Sequence, residues 1–181
     1  MSTNRLLAGT EGALTLGTRK QVNDNFADRS ICTTQLDVTS STTLTNVTGM
    51  VTDSLQPGTY AFRIVIPTVC TANNGSKFAL KWGTASMITS QEYEAKAFTA
   101  SGVAVTRGTT ATDATLLCDN ASAVVILVEI TGVCVIATAG TLQLQAAEHT
   151  SHADTFSVFK NAFMEFKCIG STTPLATATG I

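Results

Sequence analysis

The residues best suited to hold a metal are Glu148-His149-x-x-His152. Imidazole nitrogens and carboxylates ligate zinc, and two His three apart would share one face of a helix. A structural zinc takes four ligands, and the sequence places no third strong ligand beside these. The segment also lies between two strand-like stretches, so it reads first as a solvated polar loop. Glu92 and Glu94 are the paired carboxylates. They share a face if their stretch is a strand, and solvent exposure is the simpler reading. Nucleophilic catalysis needs Ser or Cys beside a His and an acid. Ser and Cys are plentiful, but no G-x-S-x-G or comparable pattern surrounds any of them. Gly9, Gly12 and Gly17 do not form a phosphate-cradling loop. The reading is a non-enzyme with no cofactor and no bound metal.

Other residues with chemical potential have structural readings. The five cysteines, Cys32, Cys70, Cys118, Cys134 and Cys168, are widely spaced, odd in number and lack a C-x-x-C pair. They read as free, mostly buried thiols. Trp82 is the one tryptophan. It could stack on a sugar, but Phe78 and Leu80 at alternate positions put it in a core. Asn46-Val47-Thr48, Asn74-Gly75-Ser76 and Asn120-Ala121-Ser122 match the glycosylation pattern, as expected by chance in a chain so rich in Asn, Thr and Ser.

Composition bounds the elements that must hold these residues. Charged residues make up 13% of the 181, about half the usual share, and hydrophobic residues 44%. Thr, Ser and Ala fill the difference, which favours strands and turns over helices. A net charge of −2 without a basic stripe argues against nucleic acid and anionic membrane as partners. MSTNRLLAGTEG carries no apolar stretch of signal-peptide type, so a cytosol-like site of synthesis is expected. A surface so poor in charge points to association with other copies or with a partner.

The chain then divides into Met1–Ser30, an arm too sparse in apolar residues to build a core; 31–170, a strand-rich domain; and 171–181, a tail. Ile31–Val38 and Thr42–Met50 read as strands, broken at Ser40-Ser41, the second ending in a turn at Gly49. After Gln56-Pro57-Gly58, Thr59–Val65 places Tyr60, Phe62, Ile64 and Ile66 on one face and is closed by Pro67. Asn73-Asn74-Gly75 predicts a hairpin of Tyr60–Cys70 with Lys77–Trp82. Gln91–Ala97 fits either a helix or a strand anchored by Tyr93 and Phe98. Ser101–Thr115 reads as a loop or an edge. Val124–Ile130 reads as a central strand buried on both faces. Thr141–Gln145 alternates, with Leu142, Leu144 and Ala146 inward and Thr141, Gln143 and Gln145 outward. Thr155–Phe159 and Ala162–Cys168 close the set. The prediction is an all-β fold, a jelly-roll-like antiparallel β-sandwich with an extended N-terminal arm.

Two stretches carry a family resemblance. TTLTNVTGMVTDSLQPGTYAF (Thr42–Phe62) and VEITGVCVIATAGTLQLQAAEHTSHADTFSVFKNAFMEF (Val128–Phe166) resemble structural proteins of tailed bacteriophage virions. VNDNF (Val22–Phe26) is similar to a short motif near the start of phage fibre and appendage proteins. The motifs are strand-and-turn grammar without a chemically invariant residue. The resemblance implies a head decoration (cement) protein on the outer capsid surface, made in the host cytoplasm. Its partners would be itself, as a trimer, and the major capsid protein or another virion protein. The alternative is a head-fibre or tail-fibre/collar component with a receptor- or glycan-binding role. The residues expected to contact partners are Leu6, Leu7, Arg19, Val22 and Phe26 in the arm, and Thr141, Gln143 and Gln145 on the uncharged strand face.

Overall fold

The computed structural model describes residues 28–70, 75–83, 87–99, 102–110, 115–118 and 122–171. Every regular element among them is a strand. In chain order these are β1 (Asp28–Ile31), β2 (Leu36–Thr39), β3 (Thr45–Val51), β4 (Gly58–Cys70), β5 (Ser76–Trp82) and β6 (Ile88–Thr99). There follow β7 (Gly102–Thr110), β8 (Thr115–Cys118), β9 (Ser122–Ile136), β10 (Leu142–Glu148), β11 (Thr155–Val158) and β12 (Phe163–Ser171).

All pairings are antiparallel. One eight-stranded sheet runs β1-β12-β4-β9-β6-β7, with β11 joining β4 and β2 joining β11. A four-stranded sheet runs β3-β10-β5-β8. The chain is therefore all-β, and its two antiparallel sheets are consistent with a β-sandwich. The pairing shows the all-β antiparallel class; a jelly-roll winding is a finer assignment that it does not carry. The two sheets share one apolar core, in which Phe78 of β5 meets Phe156 of β11 edge-on, with ring centroids 6.0 Å apart.

Alternation explains most of the burial. In β4, Tyr60, Phe62, Ile64 and Ile66 are buried, and in β10 so are Leu142, Leu144 and Ala146. Met164 and Phe166 of β12 complete the pattern; Phe166 stacks on Phe62 across the strand pair at 5.4 Å. The seam between the sheets is tied where Ser30 Oγ donates to the Val51 carbonyl at 2.5 Å and Asp53 N–H donates to Asp28 Oδ2 at 2.8 Å. Strand β1 thus includes Asp28–Ser30, residues assigned above to the arm.

Several expectations are corrected. Ile31–Val38 is not one strand: β1 ends at Ile31 and β2 begins at Leu36. Gly49 is not a terminal turn but sits inside β3 with φ +86°, where a Cβ would collide with the Ile31 carbonyl. Pro67 does not end β4, which runs on to Cys70. The Pro67 carbonyl accepts from Phe159 N–H at 3.0 Å. The N–H that Pro67 lacks would face the Phe159 carbonyl, which instead accepts from Ala162 N–H at 3.5 Å in the junction where β12 gives over to β11, so the missing donor leaves no carbonyl stranded.

The expected hairpin of β4 with β5 does not form. Strand β4 is flanked by β9 on one edge and by β12 and β11 on the other, so β5 pairs in the second sheet. The window Gln91–Ala97 is strand, within a hairpin of β6 and β7, and β7 is the sheet edge. Strand β9 is central, but it is buried on one face only: Val125 is 62 % exposed, whereas Ile126, Val128 and Ile130 are buried.

Candidate interaction face

The described structure takes the Glu148–His152 cluster apart. Glu148 ends β10 with its side chain fully buried, and Oε2 accepts from Ser41 N–H at 2.9 Å and from His152 N–H at 3.3 Å. Its carboxylate fastens two loops, so it is not solvated as the loop reading held. His149 is exposed, and His152 Nδ1 lies 3.1 Å from an Asp154 carboxylate oxygen. No group of three His, Cys, Asp or Glu side chains suited to a metal occurs among the described residues.

The other singled-out residues are also accounted for. Cys32, Cys70 and Cys134 are buried free thiols and Cys168 is a half-buried one; the Cys118 side chain lies outside the described residues. Burial pushes the Cys134 thiol up to about 12. Trp82 and Tyr93 both pack against the core.

Of the expected partner-contact residues, Leu6, Leu7, Arg19, Val22 and Phe26 lie outside the described residues. Thr141, Gln143 and Gln145 are half-buried on the outer face of the small sheet. Gln143 Nε2 lies 3.0 Å from the carbonyls of Val47 and Met50 and 2.9 Å from that of Leu144. It bridges the stretch where β3 carries extra residues against β10. Gln145 Nε2 donates to Asn46 Oδ1 at 2.8 Å. Both amides therefore hold β3 onto β10.

The outer face of the large sheet has a more pronounced layout. Register places Arg107, Glu94, Thr131, Arg63, Glu165 and Arg29 in one row across β7, β6, β9, β4, β12 and β1. Signs alternate along it except at Thr131. Glu94 is held by Lys96 Nζ and Arg107 Nε, each at 2.6 Å, and those contacts keep its carboxyl below its ordinary range. Arg63 Nε bonds Glu129 at 2.6 Å, and Arg29 lies 3.5 Å from Glu165. The Arg29 and Arg63 guanidiniums sit 4.8 and 5.8 Å from the centroid of the Phe163 ring. Cross-strand pairs of this kind fix register more than they stabilise, because exposed ion pairs contribute about 0–1 kcal/mol each.

Beside this charged belt runs an apolar strip. Val103, Phe98, Leu127 and Pro67 form one register row, with Val105 and Val125 next to it on β7 and β9. Val103 is 52 % exposed, and Phe98, Val105 and Leu127 are exposed as well. The sequence contains the signal: Val103, Val105 and Arg107 alternate with the smaller Ala104 and Thr106. Only the register shows that the valines align with Phe98 and Leu127.

No protein-family model matches this chain. No curated protein matches it either.

Proposed function

We propose that the protein is a non-enzymatic virion structural protein: a decoration or cement protein that binds the outer surface of a bacteriophage head as an oligomer and stabilises it. The observation that carries this reading is the exposed row Val103–Phe98–Leu127 with Val125 beside it, flanked by a paired-charge belt. An apolar centre with a charged border is the anatomy of a protein–protein contact. The likeness of Thr42–Phe62 and Val128–Phe166 to tailed-phage structural proteins supplies the kind of assembly. The alternative, a head-fibre or tail-fibre/collar component that recognises a receptor or glycan, would draw on aromatic platforms. Trp82 and Tyr93 pack against the core, which weighs against a sugar-stacking role for them.

The test is addition of purified protein to phage heads that lack it. Saturable co-sedimentation, with heads that then survive heating or low salt better, is the expected result. A monomer in light scattering that leaves such heads unbound would refute the proposal.

A further inference from the structure

The strip Val103–Phe98–Leu127 lies beside an open sheet edge. Among the described strands β7 pairs only with β6, with β8 approaching it, so the other side of this nine-residue strand has no ladder partner among the described strands. A segment laid along β7 would add a ladder there. Its outward side chains would line up with Val103 and Val105 and extend the apolar rows by one strand.

We propose that this edge and strip are the docking site for residues 1–27 of a second copy of the chain. The inference rests on the oligomer reading above. Three observations select this occupant. First, residues 1–27 contain Leu6, Leu7, Leu14, Leu16, Val22 and Phe26 and no proline, so every residue after the first can donate to a ladder. Ala13–Thr18, ALTLGT, has the alternation of a strand with one apolar face. The ten residues after Ser171 are shorter and interrupted by Pro174.

Second, the segment is long enough to cross a sheet of this width. Asp28 and β7 stand at opposite edges of the row β1-β12-β4-β9-β6-β7. Five strand spacings and about five residues of offset separate Asp28 from the strip by about 30 Å, against about 90 Å for 27 extended residues.

Third, direction favours a neighbour. Asp28 pairs with Phe166 and Ile31 with Phe163, so β1 runs towards the strip end of the sheet. The strand therefore begins at the end of the sheet away from the strip. A segment entering β1 from that end would have to reverse and cross the sheet to cover its own strip, whereas the strip of another copy demands no such reversal. Exchange in one sense between copies is a heterologous contact, which gives a ring such as a trimer where its rotation closes.

The experiment places the photoreactive residue p-benzoylphenylalanine at Leu14 in the full-length chain and irradiates an equal mixture of ¹⁴N- and ¹⁵N-labelled protein. Mixed-isotope cross-links mapping to Phe98, Val103, Val105, Val125 or Leu127 are expected. The double variant Val103→Asp/Leu127→Asp should lower their yield at least tenfold at an unchanged melting temperature. Cross-links confined to single chains, cross-links elsewhere on the sandwich, or none would overturn the proposal. Because the mapping is done without strip variants, a misfolded double variant does not protect it. Failure to bind heads with strip cross-links intact would remove the virion role and leave the exchange standing. Head binding without such cross-links would do the reverse.

Discussion

The Phe62 ring occupies the space that a side chain on Gly132 would need. The two residues are register partners on β4 and β9, and a Cβ built on Gly132 would fall 2.6 Å from Phe62 Cζ and 2.8 Å from Cε1, and would also collide with the Glu92 backbone carbonyl of β6. Gly132 therefore lets a large ring lie flat across the longest strand of the sheet, a device that trades a weak strand residue for aromatic packing. Gly132→Ala is expected to destabilise the fold by about 1–3 kcal/mol, the usual range for overpacking. Chemical denaturation measures this, and an unchanged midpoint would show that the Phe62 ring and the Glu92 carbonyl both give way freely.

Gln143→Leu tests the role found for the outward glutamines. The substitution keeps the size of the side chain and removes the donor shared by Val47, Met50 and Leu144 carbonyls. A loss of about 1–3 kcal/mol is expected from the carbonyls left unpaired. Faster amide exchange should follow in residues 45–51 before it appears elsewhere. Loss of self-association at full stability would instead support the subunit contact expected from sequence for Gln143.

Gln91 is 2 % exposed, and neither its amide nitrogen nor its amide oxygen has a hydrogen-bond partner among the described residues. Gln91→Met keeps the length and removes the buried polar atoms. The variant should be more stable by about 1–3 kcal/mol, the desolvation penalty of such groups. A lower melting temperature would mean that the amide is bonded in solution.

Asp28 gives a pH dependence of defined sign. Burial is the main cause that raises its carboxyl above 3.8, with Asp53 adding repulsion and its backbone N–H acting the other way. The folded state then holds the proton more tightly than the unfolded chain. Stability from this group is full below the unfolded value and is lost as pH rises through the higher folded value. Asp28→Asn retains an acceptor for Asp53 N–H and should flatten that decline. Unfolding curves from pH 3 to 7 that keep the wild-type slope would contradict the assignment.

Thiol titration separates the cysteines by burial. Cys168 is the accessible one of the four described side chains, and Cys134 holds its proton up to about 12. Mapped alkylation at pH 8 should modify Cys168 well ahead of Cys32, Cys70 and Cys134, which should react only on unfolding. Early modification of Cys134 would place it outside the core.

The sequence by itself determined the class of fold. Scarce charge, abundant Thr and period-two runs such as Phe78-Ala79-Leu80 can bury an apolar face only as strands, and alternation assigns the inward residues of β4, β5, β10 and β12 without knowledge of any partner. Local patterns do not reach further. Whether Asn73-Asn74-Gly75 turns a hairpin depends on which edges β4 has free, and both are taken by strands distant in sequence. Pro67 is tolerated because of where β12 yields to β11. The alignment of Val103, Phe98 and Leu127, and the charged row from Arg107 to Arg29, join strands far apart in the chain. Register is set by packing across the whole sheet, and a one-residue slip would turn each of these faces inward. The exposed apolar row and the charged belt beside it were therefore decided by tertiary structure alone.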